Sequence, residues 1–360
     1  MTRPSRAIRA AFATVFVVGL LAAACTGSSK PKPSGTSSPS TPQSGSPTHS
    51  ATNSDSKPPP RPKPNPNAID PFTGLKDRPS LPTVSVKIDD TAPGRPQVGI
   101  DQADIVYIEE VEGGLTRLAA IFGSRHPARV GYVRSTRPSD PDLLLQYGKI
   151  TAAYSGGAHD SLPRMRRSGI TSWSNDAGAG YYSRVSRAAS SYINLVLNVK
   201  QVAEHAKTPL PRSIGLHWST KLPVPGHPGK SVQTYVGGTP VDFRWDAQIK
   251  KYVRYIDGQA QHANDGKLIA TPNVVVQKCR IVPHPQDTDV LGNPSMFTYT
   301  VGKGSVSVFR NGRRIDGTWS RANVSAGTRL TINANHKTLS LTPGGAWFVL
   351  AQKTAHITSH

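Results

Sequence analysis

From Thr26 to about Pro66 the chain runs through Ser, Thr, Pro, Gly and Lys with almost no large apolar side chain. A stretch like this buries too little surface to offset the entropy of ordering it. It therefore predicts a disordered tether and confines any core to the residues that follow. Pro-rich pieces such as Lys57-Pro58-Pro59-Pro60-Arg61-Pro62 are expected as locally extended polyproline II. A flexible tether of this length spans on the order of 35 Å, and more where it is extended.

What precedes the tether gives it a purpose. Arg3, Arg6 and Arg9 are followed by an apolar run from Ala10 to Ala24, broken only by Thr14 and Gly19. That is a positive n-region and an h-region of signal-peptide length. It is too short for the roughly 20 helical residues that cross a bilayer. The run ends in Leu21-Ala22-Ala23-Ala24-Cys25, small residues before a cysteine and a polar stretch after it. The arrangement resembles a lipobox, with Ala22 where leucine is usual. It predicts a signal peptide over 1–24 and acylation of Cys25, palmitate included, as the mature N-terminus. The other reading is ordinary cleavage beside an incidental cysteine. Two or three acyl chains make a stable anchor where one does not. The expected location is the extracytoplasmic face of the cell membrane, lipid-anchored in the cell envelope.

Only one other cysteine exists, Cys279 in Val274-Val275-Val276-Gln277-Lys278-Cys279. With Cys25 lipidated it has no intramolecular partner, so a buried, inert thiol is expected. The fold must then be held by its core, and the chain beyond the tether is long enough to bury one.

Charge narrows the partners. Over 81–360 there are 33 Lys and Arg against 19 Asp and Glu, and the excess is expected to attract anionic lipid head groups, wall polymers or extracellular nucleic acid. Nucleic acid is the weakest of these, because no nucleic-acid module is recognisable and export removes the protein from the genome.

Beyond the tether, Val84 to Ile88, Ile105 to Ile108 and Thr116 to Phe122 read as strands, the last two joined by a Gly113-Gly114 turn. Pro141 to Tyr147 and Asp160 to Arg167 read as short helices. Asn198 reads as the cap of a third helix through Ala206, which Pro209 stops. After Thr208 short strand-like runs dominate, namely 232–235, 241–245, 252–256, 274–278, 295–301, 305–309 and 328–332. Asp257-Gly258, Asn264-Asp265-Gly266 and Asn311-Gly312 supply turns between them. The expected class is α+β, a mixed α/β N-terminal domain over 67–208 followed by a β-rich C-terminal domain over 209–360, possible as one packed unit.

The polar chemistry is densest between Lys87 and Asp160. Arg134 and Arg137 bracket Ser135 and Thr136, and guanidinium groups with neighbouring hydroxyls bind carboxylate or phosphate. Arg117, Arg134, Ser135 and Arg137 are therefore the candidate ligand-binding residues, against the alternative that these arginines satisfy carboxylates such as Asp89. Glu112 and Arg117 flank the Gly-Gly turn and can meet across a hairpin. Asp89, Glu110 and Glu112 are the weak catalytic candidates, since glycosidic cleavage needs one raised and one ionised carboxyl. Strand alternation puts Glu110 and Glu112 on one face and Glu109 on the other. His159-Asp160 is the one pair that reads as a ligand or base. No Gly-x-Ser-x-Gly or His-Glu-x-x-His pattern occurs, and the glycines are wrongly spaced for a phosphate loop. No cofactor or metal is expected, and whether the chain is an enzyme stays open.

The same residues carry a resemblance. Val86-Lys87-Ile88-Asp89-Asp90, Gln102-Ala103-Asp104-Ile105-Val106-Tyr107, Val111-Glu112-Gly113-Gly114-Leu115-Thr116-Arg117 and Val133-Arg134-Ser135-Thr136-Arg137-Pro138 look like the YerB-like lipoprotein family. The second half is similar through Phe243-Arg244-Trp245, Asn273-Val274-Val275-Val276-Gln277 and Asn311 to Ser320. The resemblance covers most of Leu81 to Leu350 and implies an envelope lipoprotein with N- and C-terminal domains of unknown function. Tyr192-Ile193-Asn194 stands where relatives tend to show Pro-His-Asn, so no mechanism needing an imidazole at 193 carries over. Three functions remain, the first two being an adaptor binding an anionic wall component or envelope partner, and a hydrolase of wall glycan or peptide. A purely structural spacer is the third.

Overall fold

The computed structural model describes residues 68–76, 79–187 and 190–360. The expected signal peptide over 1–24, Cys25 and the expected tether over 25–66 lie outside the described residues. Among the described residues no helix is long and apolar enough to cross a membrane.

The N-terminal half contributes β1 (Val84–Asp89), β2 (Ile105–Glu110), β3 (Thr116–Phe122), β4 (Thr151–Tyr154) and β5 (Thr171–Ser174). A small sheet follows, led by β6 (Ser231–Val236), β7 (Thr239–Asp246) and β8 (Lys251–Ile256). The rest is β9 (Asn273–Thr288), β10 (Pro294–Tyr299), β11 (Gly302–Arg310), β12 (Arg313–Arg321), β13 (Arg329–Ile332) and β14 (Ala346–Gln352). The helices α1 (Asp140–Leu144), α2 (Ser161–Arg167) and α3 (Val199–His205) are short. The expectation of a mixed α/β first half is thus corrected: the fold is β-rich throughout. Helical turns here are crossovers and covers, too short to form a layer of their own.

One sheet runs through both halves, in the order β13-β12-β11-β9-β14-β2-β3-β1-β4-β5. The late strand β14 sits at its centre, parallel to β2 on one side (Val106 opposite Trp347) and to β9 on the other (Val275 opposite Phe348). Around β14 both faces are covered, which is why β1, β2, β3 and β14 are buried along nearly their whole length rather than alternating. Val86, Ile88, Val106, Leu118, Val349 and Val276 pack under the small sheet through Val241, Phe243 and Tyr252. On the opposite face Tyr107, Ile121, Phe348 and Val308 meet Leu143, Tyr147 and Met165. Cys279 belongs to this second core as a buried free thiol, and burial pushes its pKa up to about 12. Asn198 caps α3 as its position suggested, its side chain accepting from the Gln201 amide at 3.0 Å.

The small sheet is bolted to the large one by charge as well as by apolar contact. Arg254 of β8 reaches Asp90, just past β1, with two parallel bonds of 2.8 and 2.7 Å. Asp90 also accepts from Thr116 Oγ1 at 2.8 Å and Gln97 Nε2 at 3.2 Å. The Arg254 guanidinium lies 5.4 Å from the Trp347 ring, and both charged groups are fully buried. Removing one member of such a pair strands the other charge in the core. Arg254→Met should therefore lower unfolding free energy by about 3–5 kcal/mol in chemical denaturation. Adding Asp90→Asn should recover a large part of that loss, and a double variant no better than the single would refute the pairing as the cause.

Candidate functional site

The candidate residues gather where β1, β2 and β4 end. β1 and β2 both pair antiparallel with β3, and β4 is parallel to β1, so their carboxyl ends share one edge. Ligands in open sheets with parallel strands bind outside such ends. Asp89, Arg117 and Glu109 stand in one cross-strand row, which places their side chains on one face. The segment 134–140 folds over this row. Its path is set by backbone bonds from the Arg134 amide to Lys87 O at 2.9 Å and the Thr136 amide to Gly156 O at 3.0 Å.

Beneath that segment lies an ion cluster. Lys87 Nζ is 2.9 Å from Glu109 and 2.7 Å from Asp140, all three buried. Asp140 also accepts from Thr136 Oγ1 at 2.8 Å and the Arg137 amide at 2.7 Å. One carboxylate therefore both neutralises the lysine and shapes the arginine-bearing loop. Burial opposes ionisation of Asp140, but Lys87 outweighs it and holds the carboxyl below its usual range. Burial instead pushes Glu109 up to about 8, with Lys87 opposing and the Asp140 charge adding to the rise. A single buried cation faces two acids, and the upward shift of Glu109 favours its protonated form.

Above the cluster sit the arginines. Arg134 pairs with Asp89 at 3.1 Å, and Asp89 in turn accepts from the Thr91 amide at 2.7 Å. Arg137 pairs with Glu112 at 2.5 Å, and Glu112 also accepts from Ser295 of β10. The pairing keeps Glu112 ionised: burial would raise its pKa, yet the Arg137 charge and hydrogen bonds leave it lowered. Arg117 is different. Its one hydrogen bond among the described residues is to Ser135 O at 3.5 Å, an oxygen that also accepts from Arg137 at 3.3 Å. No carboxylate among the described residues lies within ion-pair reach of it. Burial, then repulsion from Arg137 and Arg134, pushes its pKa down to about 9, so it remains a cation at neutral pH.

The loop Gly156-Gly157 closes the other side. Gly156 has φ 71°, and a side chain at Gly157 would run into Thr136 and Leu162. Past it opens a cleft of about 540 Å³ lined by His159, Leu162, Arg166, Asp289 and Val290, among others. His159 faces this cleft, whereas Asp160 turns away to His284 at 2.8 Å, so the two do not act as a pair.

The arginines named from sequence thus come together, and the carboxylates do not. Asp89 is committed to Arg134 and Glu112 to Arg137. Glu110 lies on the opposite sheet face, with one carboxylate oxygen buried and unpartnered. The expectation that Glu110 and Glu112 share a face is corrected, because β2 ends at Glu110 and the turn at 112–114 swings Glu112 round to the Glu109 side. The expected Glu112–Arg117 contact is likewise replaced by Glu112–Arg137. Asp140 and Ser295 are additional members of the site. Ser295 is 183 residues from Glu112 and gives no local signal, while Asp140 follows an Arg-Pro-Ser turn that does. Among the described residues no group of three or more His, Cys, Asp and Glu is placed to hold a metal ion.

Glu109 has a pH consequence. Its folded pKa lies above the unfolded one, so its favourable contribution is complete at acid pH and is lost as pH rises towards about 8. Glu109→Gln, which keeps a neutral acceptor for Lys87, should flatten the fall in thermal midpoint between about pH 5 and pH 8. Equal slopes in the two proteins would show that Glu109 is ionised in the fold.

The comparisons with known proteins match this architecture. Residues 72–211 match the N-terminal domain, and residues 231–348 the C-terminal domain, of a protein family of unknown function, DUF3048. The Bacillus subtilis (strain 168) protein named "Putative lipoprotein YerB" is 27% identical over 288 residues, 77% of this chain and 84% of that protein. The crystal structure of the YerB protein from Bacillus subtilis superposes with a TM-score of 0.68 at 22% identity, covering 81% of this chain and all of that one. This chain belongs to the YerB-like DUF3048 family, whose curated Bacillus subtilis relative bears a lipoprotein's name.

Proposed function

We propose that the protein is a cell-envelope lipoprotein, acylated at Cys25 after removal of residues 1–24. A tether over 25–66 would hold its body, which we divide near residue 208, outside the membrane. There it binds an anionic wall component, or an acidic group on an envelope partner, through Arg117, Arg134, Ser135 and Arg137. The observation that carries this reading is Arg117, a cation packed beside two others with no carboxylate of its own among the described residues. An uncompensated charge of this kind costs stability, and an incoming phosphate or carboxylate would relieve that cost with charge-assisted bonds. Hydrolysis on Asp89, Glu110 and Glu112 has no comparable support, since each is engaged or placed apart from the others.

Titration calorimetry of the full chain against inorganic phosphate, a short polyglycerol phosphate and a muropeptide tests the proposal. Arg117→Met should weaken binding roughly 10- to 100-fold, the worth of a charged hydrogen bond. It should leave the thermal midpoint of the free protein unchanged or higher, because a repulsive charge is gone. A lower midpoint with binding intact would make Arg117 a structural residue and remove the proposal.

A further inference from the structure

The hairpin joining β9 to β10 carries two bulky aliphatic side chains at its tip, pointing outward. Val290 is 102% exposed and Leu291 83%, the two most exposed large aliphatic residues described. The turn that displays them is firmly built. Asp289 accepts from the Leu291 and Asn293 amides at 2.9 Å each and from Asn293 Nδ2 at 3.0 Å, and its own amide donates to Asn293 O at 3.0 Å. The carboxylate is thereby turned into the loop.

The hairpin is also pinned to α2. Asp287 accepts from the Ser161 amide at 3.0 Å, and His284 Nε2 meets Asp160 at 2.8 Å. Through these bonds Arg166 and Arg167, both exposed on α2, belong to the same rigid face as the tip. Arg166 and Val290 line one cleft. Asp160 is occupied by His284 and, at 3.8 Å, by Arg167. The nearby acids are therefore engaged, while Arg166 has no ion-pair partner among the described residues.

We propose that this tip is a docking element for an anionic bilayer surface, with Val290 and Leu291 entering the interface and Arg166 and Arg167 over acidic head groups. Aliphatic residues flanked by basic ones are the composition of interfacial binding, and each cation near an acidic leaflet adds attraction. The small apolar area argues against a protein partner. Two side chains on a projecting turn bury far less than the roughly 1,000 Å² that a specific protein interface needs, yet they suffice for shallow insertion. The proposal is independent of the arginine site and requires only that the body reach a membrane.

The test uses the full chain in phosphatidylcholine vesicles with and without phosphatidylglycerol, all containing a lipid-borne quencher. An environment-sensitive fluorescent amino acid is placed at position 290 or, for reference, at the exposed position 337. Position 290 should be quenched several-fold more strongly than 337 in the acidic vesicles. Leu291→Asp should reduce that quenching about tenfold or more, given the cost of immersing a carboxylate in place of an aliphatic group. Arg166→Glu with Arg167→Glu should abolish the preference for phosphatidylglycerol. Equal quenching at the two positions would overturn the proposal. So would shielding at 290 that grows with protein concentration and ignores the quencher, because the tip would then be covered by another protein molecule.

Discussion

A sheet covered on both faces leaves a charged side chain in its strands no exit to water, so each charge must find its partner inside. In this fold that constraint decides where everything polar goes. Lys87, in the middle of β1, can exist only because Asp140 comes across from another segment to meet it. Asp140 can do so only if the 134–140 loop folds over the strand ends. The loop's path, and the position of the two arginines it carries, is in that sense a product of one lysine's need for a counter-ion. Asp90 and Arg254 repeat the logic on the opposite face, and there the result is the attachment of the small sheet.

Against this background of matched charges Arg117 stands out by arithmetic. Glu109 beside it is engaged by Lys87 with its pKa pushed up by burial, and Asp89 and Glu112 are taken by the flanking arginines. The strand ends therefore present a local excess of positive charge within a neutral ion network, which is the electrostatic profile of a receptor for anions. The wider charge of +21 sets a long-range preference for acidic surroundings but does not single out a place.

Much of the fold could be read from residue pattern. β1, β2 and β3 and the glycine turn between the last two lie where their apolar periods put them. The turns at Asp257-Gly258 and Asn311-Gly312 also lie where expected, with positive φ at each of these residues. What escaped was of two kinds. β14 is a buried apolar run following a glycine pair, and its place at the sheet centre depends on pairings with β2 and β9 that no local signal encodes. Charge pairing escaped for the same reason. That Arg117, Arg134 and Arg137 converge was inferable from strand ends and spacing, but which carboxylate each one takes depends on how far the 112–114 turn rotates. The three short helices of the first half lie where they were expected, but they are too short to form a layer, so the half is β-rich where a mixed α/β domain was expected.

The central position of β14 also dictates an order of events. A chain emerging from its N-terminus lays down β2 early and β9 much later, and each has a long apolar edge facing the gap that β14 will fill. Until Ala346–Gln352 is in place neither edge has its partner, and strand edges left open are sticky. The two halves of the large sheet are therefore joined by a single strand, and β2 and β9 depend on it for their shared contact.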